Sequence, residues 1–320
     1  MWFGTLNLFY IDGPVPDEDA LNEALSGTPF RACTPRQEEA VGFVHPWHDD
    51  TDRFVYGIMG CFFMCLKFEK REVPGPVLKE EVEKRVRAML KADPTRKINT
   101  ASRKNIKEQA KYEMLPKAFS KFDRVHAYID RSASVLVINA GNATKAQAVV
   151  KVLSGCFPGT SFKPVQTAKD PVGVMTGWLS DQCAPEPWEF GFKATLGKLE
   201  DKSAIQYQSY EVDHDRYIRE YINEERRVTS LQFRWDSRVE FVLKDDALFA
   251  SVKFIGDSLT DSEDHEAEEA AHNRDSILTV MTASVRELYE DFLKQFGGLK
   301  KFTEDEETNA SGASDEECAA

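Results

Sequence analysis

A proline, two lysines and two phenylalanines interleave in LPKAFSKF, residues 115–122. Ammonium groups beside aromatic rings suit contact with a polyanion rather than bond making. The protein around them carries a formal charge of -13 over 320 residues, which argues the other way until the charge is divided. DSLTDSEDHEAEE at 257–269 and FTEDEETNASGASDEECAA at 302–320 each hold seven Asp or Glu and no Lys or Arg. Without them the remainder stands at +1, and residues 94–124 hold nine Lys or Arg against three acids. Fields near a surface are set by charges within a Debye length of ~8–10 Å, so bulk acidity does not exclude a polyanionic partner.

Other residue sets that could do chemistry are weaker. HPWHDD at 45–50 places two histidines beside two aspartates, but Pro46 disfavours helix at His45, so a polar loop around Trp47 accounts for it better than a metal site. Asp236, Glu240, Asp245 and Asp246 are the nearest approach to a magnesium-binding nuclease set, without a paired spacing. No phosphate-binding G-x-x-x-x-G-K-[ST], G-x-S-x-G or H-E-x-x-H occurs. The cysteines at 33, 61, 65, 156, 183 and 318 form no disulfide framework, and no motif marks any of them as a nucleophile. The longest apolar run, IMGCFFMCL, is far below the ~20 residues that cross a bilayer, so a cytoplasmic protein without membrane, metal or cofactor is expected.

The elements that must carry the basic residues follow from periodicity. MWFGTLNLFYI reads as a strand and DEDALNEALSG as a short helix. Residues 54–73 read as one long or two short strands, ended by Pro74-Gly75-Pro76. A helix follows with Val77, Val82, Val86 and Leu90 near a helical period, and Pro94 ends it. TASRKNIKEQAKYEM starts a second helix, with Thr100 or Ser102 as N-cap. Arg103, Lys107 and Lys111 form one of its stripes and Ile106, Ala110 and Met114 the next. Pro116 then suits the first position of a third short helix. At ~100° per residue, Lys117, Lys121 and Arg124 would share a face there, with Phe119 on its back.

VHAYID and SVLVINA read as an antiparallel pair turned by RSAS, followed by the helix ATKAQAVVKVLSG. Residues 158–190 lack clear periodicity and read as a crossover. Short strands then alternate with one helix, DRYIREYIN, before a long helix with Leu278, Met281, Val285, Leu288 and Phe292 at 3,4,3,4 spacing, stopped by Gly297-Gly298. The class is α+β, antiparallel sheets packed with helices and closed by a C-terminal helix. The elements divide into an α/β region (1–76 and 125–170), a helical stretch (77–124), a second antiparallel sheet with helices (171–300) and a disordered acidic tail (301–320).

LPKAFSKF with its flanks resembles the RdgC family of bacterial recombination-associated DNA-binding proteins. So do MWFGTLNLFYI, GFVHPW, REVPGPVLKEEVEKRV, RRVTSLQFRWDSRVEFVLKDD, KFIGD and the closing helix ending in Gly-Gly, in the same order. The resemblance implies an elongated multi-part protomer, with a central region (1–76 and 125–170), a helical finger at 77–124 and a base at 171–300, that forms a ring-shaped dimer, a two-subunit closed ring that threads double-stranded DNA without sequence preference and restrains a RecA-type recombinase in the nucleoid. It implies that Phe119 matches the aromatic at the finger tip, Arg96 and Lys97 a basic pair before it, and Arg227 a lysine in the second sheet. The DNA-contacting set would then be Arg96, Lys97, Arg103, Lys104, Lys107, Lys111, Lys117, Lys121, Arg124 and Arg227, with Phe119 at the ring closure. QYQSY at 206–210 replaces a basic run of the relatives. The sheet-side lining there would be weaker, or would use Gln206, Gln208 and Tyr210 as neutral donors.

Against this stand a metal-dependent exonuclease, a protein-interaction scaffold, and the duller account of the lysines as a solvated face with Phe119 in the core. The acidic tail reads as a solubilising end or as a competitor of DNA.

Overall fold

A computed structural model describes residues 1–47, 53–95, 97–198, 203–208, 212, 216–255 and 267–300. The chain runs β1 (Thr5–Asp12), α1 (Glu18–Ser26), β2 (Glu39–Val44), β3 (Tyr56–Ile58), β4 (Cys61–Arg71), α2 (Gly75–Ala92), α3 (Thr100–Met114), a 3-10 turn at Leu115–Lys117 and β5 (Ser120–Asp130). It continues as β6 (Val135–Ile138), α4 (Ala143–Cys156), β7 (Ser161–Pro164), α5 (Pro171–Asp181), β8 (Trp188–Gly197), β9 (Ala204–Tyr207) and α6 (Arg216–Asn223). β10 (Arg227–Trp235), β11 (Val239–Lys244), β12 (Phe249–Phe254) and α7 (Ala267–Gln295) complete it. The α+β class read from the sequence is the observed one. No helix is long and apolar enough to cross a membrane among the described residues.

Local chemistry explains many of the boundaries. Asp17, Asn99, Asn142 and Asp170 each turn a side-chain oxygen onto a backbone N–H of the helix they precede, satisfying donors that the first turn leaves unpaired. Met59-Gly60 and Asp236-Ser237 both hold positive φ at two successive residues, the geometry that closes a tight hairpin.

One compact unit comprises Met1–Val15, Gly57–Phe62 and the chain from Ala127 onward. Here β1 pairs with β6 along one edge, and the other edge serves β12 through Thr5 and Leu6 and then β7 from Phe9 to Asp12. The order proceeds β12-β11-β10-β8-β9, with every ladder in it antiparallel. All five expected apolar positions of α7 are buried. Phe292 meets Phe249 with ring centroids 5.2 Å apart, and the indole N–H groups of Trp188 and Trp235 both donate to Asp291, at 2.7 and 3.0 Å. Residues 158–190, read as a crossover, contain β7 and α5 instead. Thr176 on α5 accepts the Val228 N–H at 2.9 Å and so fastens that helix to β10.

After α7, Gly297 and Gly298 adopt φ of 83° and 86°. The Gly298 N–H returns to the Leu293 carbonyl, and Lys300 N–H bonds the Gln166 carbonyl.

The second compact unit comprises Pro16–Tyr56 and Phe63–His126. Its strands lie in the order β2-β4-β5, with Val41 opposite Phe68 and Val44 opposite Cys65 in the first ladder. From it α2 and α3 form an antiparallel hairpin closed on Val73, Leu78, Val82, Val86, Ile106, Ala110 and Leu115.

Three local expectations change here. The α2 stripe is Leu78, Val82, Val86 and Met89, while Val77 and Leu90 face solvent, because the adjoining apolar stripe on the same helix is the one α3 covers. Asn99, not Thr100 or Ser102, caps α3. No third helix forms at 117–124: Pro116 sits in the 3-10 turn and the chain extends into β5 from Ser120. Strand alternation sends Lys121 and Arg124 to opposite faces, so the single cationic helical face does not exist.

Candidate nucleic-acid interface

The α2–α3 hairpin is held by charge as well as by apolar packing. Arg85 bonds Glu81 one turn back at 2.9 Å and Glu113 across the hairpin at 2.7 Å, and it keeps the Glu113 carboxyl below its usual range. Arg103 reaches Glu83 at 2.9 Å, and Lys111 pairs with Glu38. These cations serve the frame first.

Other cations have no ion-pair partner among the described residues. Between the two helices a groove of about 640 Å³ is floored by Leu78 and Val82 and bordered by Lys79, Arg103, Lys104 and Lys107. Glu83 is the one acid on its lining and is already bound to Arg103. Lys79, Lys104 and Lys107 are exposed and have no ion-pair partner among the described residues. Three ammonium groups therefore line one groove without a carboxylate partner among the described residues, which is how a surface attracts a polyanion.

At the foot of α3 the LPKAFSKF stretch builds a second feature. Phe119 is 92% exposed, the most exposed large hydrophobic side chain of the described residues. It borders a groove of about 570 Å³ with Val73, Pro74, Val77, Met114 and Ala118, flanked by Lys117 and Lys121. Core burial of Phe119, the duller account, is overturned by that exposure. Lys117 has no ion-pair partner among the described residues, while Lys121 reaches Glu72 at 3.8 Å.

β5 is anchored just past this point. Glu69 on β4 is 2% exposed, accepts the Cys33 N–H at 2.6 Å and the Ser120 hydroxyl, and lies 3.5 Å from Arg71. The Ser120 hydroxyl, then the Cys33 N–H, hold its carboxyl below the ordinary range despite burial. This fixes where the exposed Phe119 leaves the sheet.

The expected contact residues thus fall into groups. Lys104 and Lys107 share the α2–α3 groove with Arg103, and Lys117 and Lys121 flank the Phe119 groove. Lys97 and Arg124 are exposed, and Arg96 lies outside the described residues. Arg227 opens β10 in the other unit and donates to the Arg226 carbonyl at 3.3 Å. Of the neutral donors, Gln206 sits exposed on β9 and Tyr210 lies outside the described residues.

Two residues escaped the sequence reading. Lys79 joins Lys104 and Lys107 only through the helix pairing, which spacing does not reveal. Phe122 is half-exposed with the Lys67 ammonium 5.5 Å from its ring, and its place on a strand face was hidden by the helix assignment.

The carboxylates weighed for a nuclease are otherwise engaged. Glu240 accepts from Arg234 at 2.7 Å, Asp236 pairs with Arg238, which also holds Glu287, and Asp246 accepts the Leu248 N–H. Among the described residues no group of three or more His, Cys, Asp or Glu is placed to hold a metal ion. His45 is buried, its Nδ1 accepting the Trp47 N–H, while His48, Asp49 and Asp50 lie outside the described residues.

Comparison with known proteins places this geometry. Residues 1–299 match the family described as "Putative exonuclease, RdgC". Proteins named "Recombination-associated protein RdgC" from Yersinia pestis (strain Pestoides F) and Yersinia enterocolitica are each 25% identical over 301 residues, covering 93% of this chain and 98% of theirs.

Proposed function

The chain belongs to the RdgC family, and from that premise we propose that it binds double-stranded DNA without sequence preference, closing around the duplex as a ring of two subunits. The observation that carries the reading is the set of lysines at 79, 104, 107 and 117 without ion-pair partners among the described residues, the last of them sharing a groove with an almost fully exposed Phe119, in a protein whose total charge is -13. A lysine-bordered surface neutralises phosphates and releases counterions, a mode that carries no base information and weakens steeply with salt.

Closure adds retention that affinity alone does not supply. A two-fold ring needs two self-complementary contacts, and in this proposal Phe119 of each copy seats in the Val77–Met114 groove of the other. Arg96, Lys97, Arg103, Lys111, Lys121, Arg124 and Arg227 complete the proposed DNA-facing set. By occupying duplex DNA, the ring would limit access of a RecA-type recombinase, as a nucleoid protein of the cytoplasm. The finger, central region, base and acidic tail drawn from the sequence are the proposed parts of the protomer.

The exonuclease reading rests on the family description, and the arginine pairing of Asp236 and Glu240 lends it no support. The test is retention. Protein is bound to closed-circular and to linear duplex of the same sequence at low salt, then challenged with high salt. A ring stays on the circle and slides off the linear form; equal loss from both rejects closure. Shortening of end-labelled duplex with Mg²⁺ or Mn²⁺, abolished by Glu240→Gln, would favour the enzyme instead.

A further inference from the structure

We infer that the α2–α3 groove docks an acidic amphipathic helix of a partner protein, whose apolar stripe lies on Leu78 and Val82 and whose carboxylates meet Lys79, Lys104 and Lys107. The groove lies wholly within the second compact unit. Leu78 and Val82 make its floor, and each bordering lysine presents a hydrocarbon stem below its ammonium, so the interior is apolar and the rim is charged. Duplex DNA brings phosphates to such a rim and nothing apolar to the floor. The floor suits a ligand that carries an apolar stripe between two rows of anions.

The rim sets the sign of those charges. Arg85, Arg103 and Lys111 on the same two helices already take carboxylates, from Glu81 and Glu113, from Glu83 and from Glu38. Lys79, Lys104 and Lys107 are exposed and have no ion-pair partner among the described residues. Lys79 stands on α2, and Lys104 and Lys107 stand on α3 at the i,i+3 spacing that places side chains one above the other. Carboxylates on both flanks of an apolar stripe complement that arrangement; a neutral or basic helix does not.

Backbone hydrogen bonding selects a helix over an extended peptide. A strand would lay N–H and C=O groups over Leu78 and Val82, where nothing pairs with them, whereas a helix satisfies its own. The groove reaches from Gly75, the first residue of α2, to Thr100, the first of α3, and so follows most of the antiparallel pair, ~20 Å or about fourteen residues of a third helix. Helices pack at ~8–10 Å, and one that enters a groove does so through apolar anchors at every third or fourth position. The docking does not rest on the DNA reading above. Where that reading holds, helix and duplex use the same lysines and exclude one another.

The experiment uses the full chain and a fluorescent synthetic helix of about fourteen residues, with leucine at every third or fourth position and glutamate on both flanks of that stripe. Anisotropy at low salt is expected to show it binding at least about tenfold more tightly than the same peptide with its leucines changed to serine, and than one with its glutamates changed to lysine. Lys79→Glu, Lys104→Glu and Lys107→Glu together should weaken it at least about tenfold while the urea midpoint holds. Equal binding of the serine peptide would make the rim a site for any polyanion and would overturn the inference, as would unchanged binding by the triple variant.

A benzophenone side chain in place of the central leucine then locates the site. Photo-cross-links mapped by mass spectrometry are expected at Leu78, Val82 or the bordering lysines. Cross-links in the Val77–Met114 groove, which also sets apolar residues beside Lys117 and Lys121, would overturn the assignment. Peptide docking as expected, in a protein that holds no duplex at low salt, would sink the function reading and leave the docking standing.

Discussion

Phe119→Ala separates the proposed ring contact from the fold. With 92% of the residue exposed, truncation removes almost nothing from the protomer's own packing, and its stability should change by no more than about 0.5 kcal/mol. The same side chain moved from water into an apolar groove gains about 1.5–3 kcal/mol, and a two-fold contact counts it twice. Closure should therefore weaken by about 3–6 kcal/mol, a factor of at least about a hundred. Sedimentation against protein concentration reads the dimer, a salt challenge on closed-circular duplex reads retention, and urea denaturation reads the protomer. Unchanged stability with lost retention supports the contact. A large drop in the urea midpoint would place Phe119 in the protomer core, and full retention would remove it from closure; either result refutes the reasoning.

Lys104→Glu with Lys107→Glu should flatten the slope of log K against log salt by about two, alike for unrelated duplex sequences; an unchanged slope would take the groove out of the DNA path. Glu69→Ala leaves the Cys33 N–H and the Ser120 hydroxyl without their shared acceptor and should cost about 2–4 kcal/mol in urea denaturation, against little for a surface glutamate such as Glu80. Because the folded Glu69 carboxyl titrates below its ordinary value of 4.5, its contribution is complete above that value and drains as pH falls through the lower folded one; Glu69→Gln should flatten this part of the acid profile. Burial pushes the Cys61 thiol up to about 11, so at neutral pH a maleimide should label exposed Cys183 rapidly and Cys61 only on unfolding, which peptide mapping reads.

How much was legible depended on how completely a partner covers each element. α7 buries one stripe against a sheet, so its 3,4,3,4 spacing survived into the structure residue by residue. α2 carries apolar side chains on two adjoining stripes, and only the position of α3 decides that Leu78 rather than Val77 is covered. The start of β5 exposes Lys121, Phe122, Asp123 and Arg124, so the alternation that marks a half-buried strand is absent and Pro116 suggested a helix. β2 went unread because Gly42 interrupts its apolar alternation: Phe30 backbone lies about where a Cβ would go. α5 was signalled by Asp170-Pro171, a capping residue before a first-turn proline, but its glycines masked the period. For the candidate interface, the sequence located the basic residues and the structure divided them, some into the frame and some left facing water.

The glycine pair after α7 also has an engineering meaning. Leu299 bridges Thr167 and Lys300 bonds Gln166, so the last turn is sewn to the chain ahead of α5 before residue 301 is reached. A pull from past that seam must break those backbone bonds before it reaches the helix or the aromatic cluster beneath it. A dye or an affinity handle grafted there should leave the urea midpoint of the scaffold unchanged.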